Sequence, residues 1–561
     1  MGIIETQIVF LISALGLYYF VNLAWKERKN SFALKSFFLG GARIGPDLTE
    51  QNTIGMTFAW SGGIWFFATI AFAYGPWVLW MQIPWCISIF LLALLFSKIH
   101  SVTKNKTIHG FLDESYGKRT RKISALATTF GYVFNTGFEI YWSSMLMCNI
   151  LNQPELTIWV ALVFAIITAV YCSIGGYKAN ASTDKPQNNL GVFSLTVLAL
   201  FVVFNTNIPV LKISGIIFGV GSFVYLILSI FFPNLVNTKR AKVLTFLAFL
   251  LVAITLLISL WLSSQTGGEN ISKTFSNIPF SKDLLIGIIS FQLLFSIVDM
   301  ANWQGIAANG DIPDNQHKKL KLALIRSALY LNWFPALGGV LIGLGLRYGF
   351  TGVTDSNIFH YAFSTVLIGY PEFLRAVVIG ILLLGFISTT LSTADSYLMS
   401  AVQTITYDIL YHKKVKQLVA NDRDEDEERQ FVINAKKFLL PVAIVMVLFF
   451  WIAYEAYSKI GGNALDFQMI MYSFAISLLP SVAYSLYKGV NIKHRYDNVS
   501  FVSILTGIIF SLAPYLYVVL FNSHSPLKSK LVNLTPLFSF FSSLIVFGIG
   551  VIIQKIRFKN D

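Results

Sequence analysis

Long apolar runs, each closed by a short polar stretch, recur along the whole chain. Fifteen of them lie at residues 6–25, 48–72, 77–97, 124–150, 156–174, 188–205, 213–233, 243–262, 283–305, 324–346, 374–410, 438–457, 467–487, 499–521 and 537–553. A helix needs about 20 apolar residues to cross the ~30 Å hydrocarbon core, so these runs predict membrane-spanning helices, numbered here as spans one to fifteen. The basic residues test that count independently. With the N-terminus outside, 34 of the 42 Lys and Arg fall in cytoplasmic loops or the C-terminal tail and 8 fall outside, Arg326 and Arg375 at span ends being counted with the adjoining loops. That excess is the positive-inside pattern, and a missed or spurious span would scramble it from that point on. The expectation is a multi-pass protein of the plasma (inner) membrane with its C-terminus in the cytoplasm.

Composition agrees. Of 561 residues 55% are hydrophobic and 12% charged, and mean hydropathy is +0.65, which excludes a soluble protein. The net charge of +14 would raise the question of nucleic acid in a soluble chain, but the charges sit in loops, so no nucleic-acid partner is expected. Cys86, Cys148 and Cys172 all fall in apolar stretches and are read as packing residues. The first run follows Glu5 rather than a basic segment and lacks a small-residue cleavage site, so it is expected to remain as a helix. The acidic stretch 422–428, in the inner loop 411–437, reads as solvated surface.

Enzyme readings find little support. The chain has no GxxxxGK[ST] loop, no HExxH and no paired Cys motif, and its seven histidines are scattered singly through loops and span ends. Inside the spans, Glu139, Asp299 and Asp395 stand out, because a carboxylate at mid-bilayer costs at least a few kcal/mol unless it meets a wet cavity, an ion or a hydrogen-bonding partner. Span two is irregular over Ile54–Ile64, with three glycines and two hydroxyls; small residues there permit either close helix packing or a broken helix around a cavity. In span eleven Thr389, Ser392, Thr393 and Ser396 share one helix face and offer a strip of hydroxyl oxygens to a hard cation such as sodium.

These stretches make the sequence resemble the sodium/solute symporter family over about residues 37 to 490. The resemblance is carried by Phe38–Pro46, Ile174–Gln187, Trp303–Ala308 and Leu391–Ser396, in that order. It implies an all-α integral membrane fold, an inverted five-plus-five helix repeat of the sodium-coupled symporter type with about 15 transmembrane helices here, and Na+ as the coupling ion. The repeats would be 48–206 and 283–487. An N-terminal extra helix and inner loop (1–47), an inserted transmembrane hairpin with its outer loop (207–282), and two C-terminal helices with a short tail (488–561) would surround them. Carried over residue by residue, the family's sodium site falls on the carbonyls of Phe58, Ser61 and Thr389 and the hydroxyls of Ser392 and Thr393. Asp184, in the short inner loop, matches an acidic position read as structural.

For the solute, the choline-transporter branch is similar at Thr57–Gly63, Glu139–Trp142 and Ser392–Ser396, and the urea and polyamine branch at Val298–Gln304. The implied substrate residues are Trp60, Gly62, Glu139, Trp142, Asp299 and Trp303, with Trp60 and Trp142 as two walls of an aromatic cage and Asp299 facing the central cavity or capping unwound backbone. Asp299 stands where the choline branch has a cage tryptophan, Ile87 where it has a cage tyrosine, and Gly305 where the family commonly has Arg. The expected function is sodium-coupled symport of a small polar or cationic nitrogenous solute by alternating access. The alternatives are symport of a proline-like amino acid and a transporter-like sensor acting through a partner. The implied partners are the solute and membrane lipid, and the sequence leaves the oligomeric state open. In intact cells a single cysteine introduced within 237–242 should be shielded from an impermeant thiol reagent added outside; ready labelling would overturn the inserted hairpin.

Overall fold

A computed structural model describes the chain except residues 1–2, 29–32, 104–105, 232–246, 248–249, 251–252, 255–281, 330–331, 355–357, 366–369, 421–424, 460–463, 490–494, 522–525 and 558–561. Among the described residues every regular element is helical. Eleven helices are long and apolar enough to cross a membrane, and a bent pair makes a twelfth crossing. The difference from fifteen has three sources. Span four is Lys118–Ile150, a 33-residue helix carrying too many polar residues to pass as an apolar span. Most of span eight, with the loop at 237–242, lies outside the described residues. Spans five and six run together as Thr157–Phe204.

That last fusion corrects the sequence reading of 174–187 as a loop. At ~1.5 Å per residue these 48 residues extend to more than twice the ~30 Å core, so they contain two crossings, joined at Gly176 (φ 64°, ψ −158°). A Cβ at Gly176 would stand 2.5 Å from the Phe37 carbonyl oxygen, so glycine is needed both for the left-handed φ and for the close approach. Beyond the bend the chain is helical at once, which carries Asp184 into the interior, fully buried. A second correction concerns 411–437, where helix Glu425–Ser458 begins well before span twelve. Glu425, Asp426, Glu427 and Glu428 occupy its first turn, where negative charge opposes the helix dipole.

Among the described residues two spans are interrupted. Span two is Gly45–Gly55 followed by Trp60–Tyr74, bent by 56°, with Ala59 extended between the halves. Span nine is Lys282–Val298 and Met300–Ala307, separated by Asp299 (φ −70°, ψ 118°). Span ten is described over His317–Leu329 and Trp333–Gly349 and counts as one crossing. The first two are the opening helices of the two five-span units expected from sequence. Span eleven, Glu372–Thr404, packs against spans four, five and six at the centre, while spans fourteen (Asp497–Phe521) and fifteen (Thr535–Arg557) pair with each other.

Glycine sets how closely span ten lies on span two. A Cβ on Gly343 would fall 2.2 Å from the Ala68 carbonyl oxygen and 3.0 Å from the Phe72 nitrogen, both backbone atoms that cannot swing aside. Gly343→Ala should therefore cost about 1–3 kcal/mol and lower both membrane abundance and the melting temperature in detergent. Gly548→Ala in span fifteen, with nothing within 4 Å, is the control and should leave both unchanged.

Candidate solute cavity and cation site

Breaking span two exposes the first amides of its second half, and span four supplies their partner. Ser61 N–H donates to Glu139 Oε2 at 3.0 Å and Gly62 N–H to Oε1 at 2.9 Å. Both carboxylate oxygens are thus engaged by amides at a helix start, where partial positive charge offsets the acid, and Glu139 is 1% exposed. Thr57 Oγ1 donates to Asn332 Oδ1, which ties the break of span two to span ten.

The break of span two borders a central cavity of about 40 Å³. Its polar lining includes Gln82, Trp85, Asn135, Gln292, Asn332 and Gln468, and among the described residues Glu139 is the one ionisable acid or base that lines it. Three lining atoms lack a hydrogen-bond partner among the described residues: the donors Trp85 Nε1 and Asn332 Nδ2, and the acceptor Gln292 Oε1.

Of the substrate residues expected from sequence, Gly62 and Glu139 line this cavity and four do not. Trp60 is 1% exposed and packs on Phe359 and Phe386, with ring centroids at 4.5 and 4.6 Å. Trp142 lies between Trp65 (5.3 Å) and Tyr454 (5.1 Å). Trp303 closes the break in span nine, its indole N–H donating to the Ile297 carbonyl at 2.8 Å. Asp299 caps the second half of that span, accepting from Ala301 N–H at 3.3 Å and from the Tyr132 hydroxyl at 2.5 Å. It borders a smaller hollow that shares Asn135 and Tyr472 with the central one. The aromatic lining comes instead from residues such as Trp85, Phe291, Tyr397 and Tyr472, which the sequence reading did not single out. The missed signal is the run of neutral amides inside apolar spans, Gln82, Asn135, Gln292 and Gln468.

On the opposite side of the span-two break, the hydroxyl strip of span eleven meets a buried oxygen cluster. Thr393 Oγ1 donates to the Gly55 carbonyl at 2.9 Å and to the Thr389 carbonyl at 3.1 Å, and Thr393 also lines the central cavity. Ser392 Oγ donates to Asp184 Oδ1 at 2.6 Å. Asn52 Nδ2 donates to Asp184 Oδ2 at 3.0 Å and to Ser396 Oγ at 3.1 Å, and Asn52 Oδ1 accepts from the Tyr177 hydroxyl at 2.7 Å. Tyr171 donates to Asp395 Oδ2. Among the other expected ligands, Phe58 is buried, and Ser61 has a buried hydroxyl without a partner among the described residues. A donor set of hydroxyl, carbonyl and carboxylate oxygens with no sulfur or imidazole suits a hard cation and fits Na+.

No family model matches the sequence, and no curated protein is similar to it. Solved structures are. A Na+-coupled sialic acid symporter, in a substrate-bound outward-open state described as revealing a novel Na+ site, superposes with a TM-score of 0.60 at 12% identity over 98% of each chain. A nucleobase-cation-symport-1 family transporter, closed with bromovinylhydantoin bound, superposes with a TM-score of 0.50 at 11% identity over 93% of this chain and 95% of its own. The chain has the all-helical, inverted-repeat fold of these symporters.

The Asp299 geometry separates capping from recognition by charge. Asp299→Ala should cost about 0.5–2 kcal/mol, as loss of a helix N-cap does, and lower the melting temperature in detergent. Asp299→Asn keeps a capping oxygen and should melt close to the parent. A large loss in Asn equal to that in Ala would show that the charge, not the cap, stabilises the break.

Proposed function

We propose that this protein is a sodium-coupled secondary transporter that moves a small, polar, nitrogenous solute by alternating access. The observation that carries the proposal is the double role of Thr393. It lines the central cavity and belongs to the oxygen cluster formed with Gly55, Thr389, Ser392 and Asp184, so occupancy of one site acts on the other through a shared side chain and the shared break of span two. The likeness to a Na+-coupled symporter supports the choice of ion. The chain's own residues give Na+ its place: the Ser392 and Thr393 hydroxyls and the carbonyls of the broken helix, with Phe58, Ser61 and Thr389 from the sequence reading and Gly55 from the geometry. Asp184 supplies compensating negative charge.

The solute is inferred from what the cavity leaves unpaired. Buried donors and acceptors without partners are costly, and a solute presenting both N–H and C=O groups satisfies Trp85, Asn332 and Gln292 together. Glu139 has both oxygens engaged, no basic residue among those described lines the cavity, and Trp60 and Trp142 stand outside it. A small amide- or urea-like solute therefore fits better than a quaternary ammonium. In the charge-derived topology the lining residues Gly62, Gln82, Gln292 and Gln468 lie in the outer halves of their spans. The inner side is closed by Gly45 N–H donating to Asn309 Oδ1 (3.0 Å), Ile44 N–H donating to the Ala308 carbonyl (3.2 Å) and the Lys35–Asp311 ion pair (2.5 Å). Opening that seam while closing the outer side would deliver the solute inward. One Na+ entering at −100 mV down a tenfold gradient yields about 2.3 plus about 1.4 kcal/mol, enough for roughly a 500-fold solute gradient.

Uptake of a panel of labelled ureas, amides, quaternary amines and amino acids into proteoliposomes tests both parts. Accumulation should require an inward sodium gradient and should favour the amides and ureas. Ser392→Ala should raise the sodium concentration for half-maximal uptake several-fold, and adding Thr393→Ala should raise it further. Uptake indifferent to sodium, or unchanged sodium dependence in the double variant at normal abundance, would refute the ion site.

A further inference from the structure

A second, larger cavity lies on the far side of the wall that bounds the central one. Its volume is about 320 Å³, and Ile83, Cys86, Ile87 and Phe90 of span three, Leu250 and Ala253 of span eight, and Ala328 and Trp333 of span ten lie along it. The lining is almost wholly apolar. Helix periodicity divides span three between the two cavities: Gln82 and Trp85 face the central one, and residues 83, 86, 87 and 90 face this one. Two hydrogen bonds hold the wall, Gln82 Nε2 donating to the Asn332 carbonyl at 2.9 Å and Cys86 Sγ–H donating to the Ala328 carbonyl at 3.1 Å.

We infer that this cavity binds one acyl chain of a bilayer phospholipid, inserted among spans three, eight and ten against the wall of the solute cavity. The occupant follows from position and size. The rim residues Ile87 and Phe90 are 43% and 45% exposed within a membrane-spanning helix, so the space outside them is filled with hydrocarbon tails. An apolar cavity of about 150 Å³ is large enough for benzene, so one of about 320 Å³ accepts a length of alkyl chain, and its lining offers a headgroup nothing to bind. Burying methylenes there restores dispersion contacts that an unfilled void forfeits. The chain would brace Cys86, Ala328 and Trp333 and thereby the Gln82–Asn332 contact.

The inference depends on the chain lying in a membrane and not on sodium coupling, so its test needs no transport. The full-length protein in nanodiscs would be irradiated with phosphatidylcholine carrying a mid-chain diazirine, and the labelled peptides mapped by mass spectrometry. Peptides covering 83–90 and 325–333 should be labelled several-fold more than the lipid-facing stretch 159–170 of span five. Ala328→Phe, which fills the cavity from the inside, and Ile87→Trp, which narrows its rim, should each reduce that labelling at least threefold while leaving 159–170 unchanged. Ile87→Trp changes an exposed residue and serves if Ala328→Phe does not fold. Labelling no greater than at 159–170, labelling unaffected in the folded variants, or labelling by a diazirine fatty acid but not by the phospholipid would overturn the inference.

Discussion

Backbone amides and carbonyls cannot be left unpaired in hydrocarbon, and every functional feature here depends on how that requirement is met where helices are broken. Each interruption is closed by a side chain from elsewhere. Glu139 from span four receives Ser61 and Gly62 of span two, and Tyr132 from span four joins the break's own Asp299 in receiving Ala301 of span nine; Gln82 of span three likewise reaches the Asn332 carbonyl of span ten. The buried polar residues are therefore first of all structural. In the proposed function they take a second role because the same break of span two brings Gly62 and Glu139 to the cavity.

This ordering explains what could be read from the sequence. Hydrophobic run length and the placement of Lys and Arg report on the bilayer, an environment common to the whole chain, so the spans and their order were legible without tertiary information. The broken span two was legible because glycine and hydroxyl residues have no reason to face lipid. The hydroxyl strip of span eleven was legible from helical spacing alone. Asp299 and Trp303 stand out as strongly, yet both are consumed in closing the break of span nine, and nothing in one sequence distinguishes a carboxylate that caps from one that binds. The helical course of 174–187 was hidden for a related reason. A polar stretch bearing Lys178, Lys185 and Pro186 reads as a loop unless one knows that Asp184 meets Ser392 and Asn52 inside the bundle.

The neutral amides were overlooked because they are inexpensive. A carboxylate in a span costs enough to demand explanation, whereas Gln or Asn costs less and finds partners easily. For selecting a solute they are better instruments than acids. An amide presents donor and acceptor at fixed separation and discriminates by geometry, and a site built to hydrogen-bond its substrate rejects analogues lacking those groups more strongly than an apolar pocket rejects a missing methylene.

The arrangement around Thr393 carries this reasoning into coupling. Its hydroxyl already donates to two carbonyls, Gly55 and Thr389. A cation placed among the oxygens must be met by the lone pairs of the hydroxyl, so the proton has to turn away from at least one carbonyl. In the proposed coupling that carbonyl would become available to the ion, and the half-helix ending at Gly55 would be held to span eleven through the ion site rather than by a hydrogen bond. Because Thr57, two residues further along, is tied to Asn332 on the cavity wall, a shift of that half-helix would reach the proposed solute-binding groups directly. Differential contact of this kind, made in one ion occupancy and not in the other, is what a ligand requires to move a conformational equilibrium.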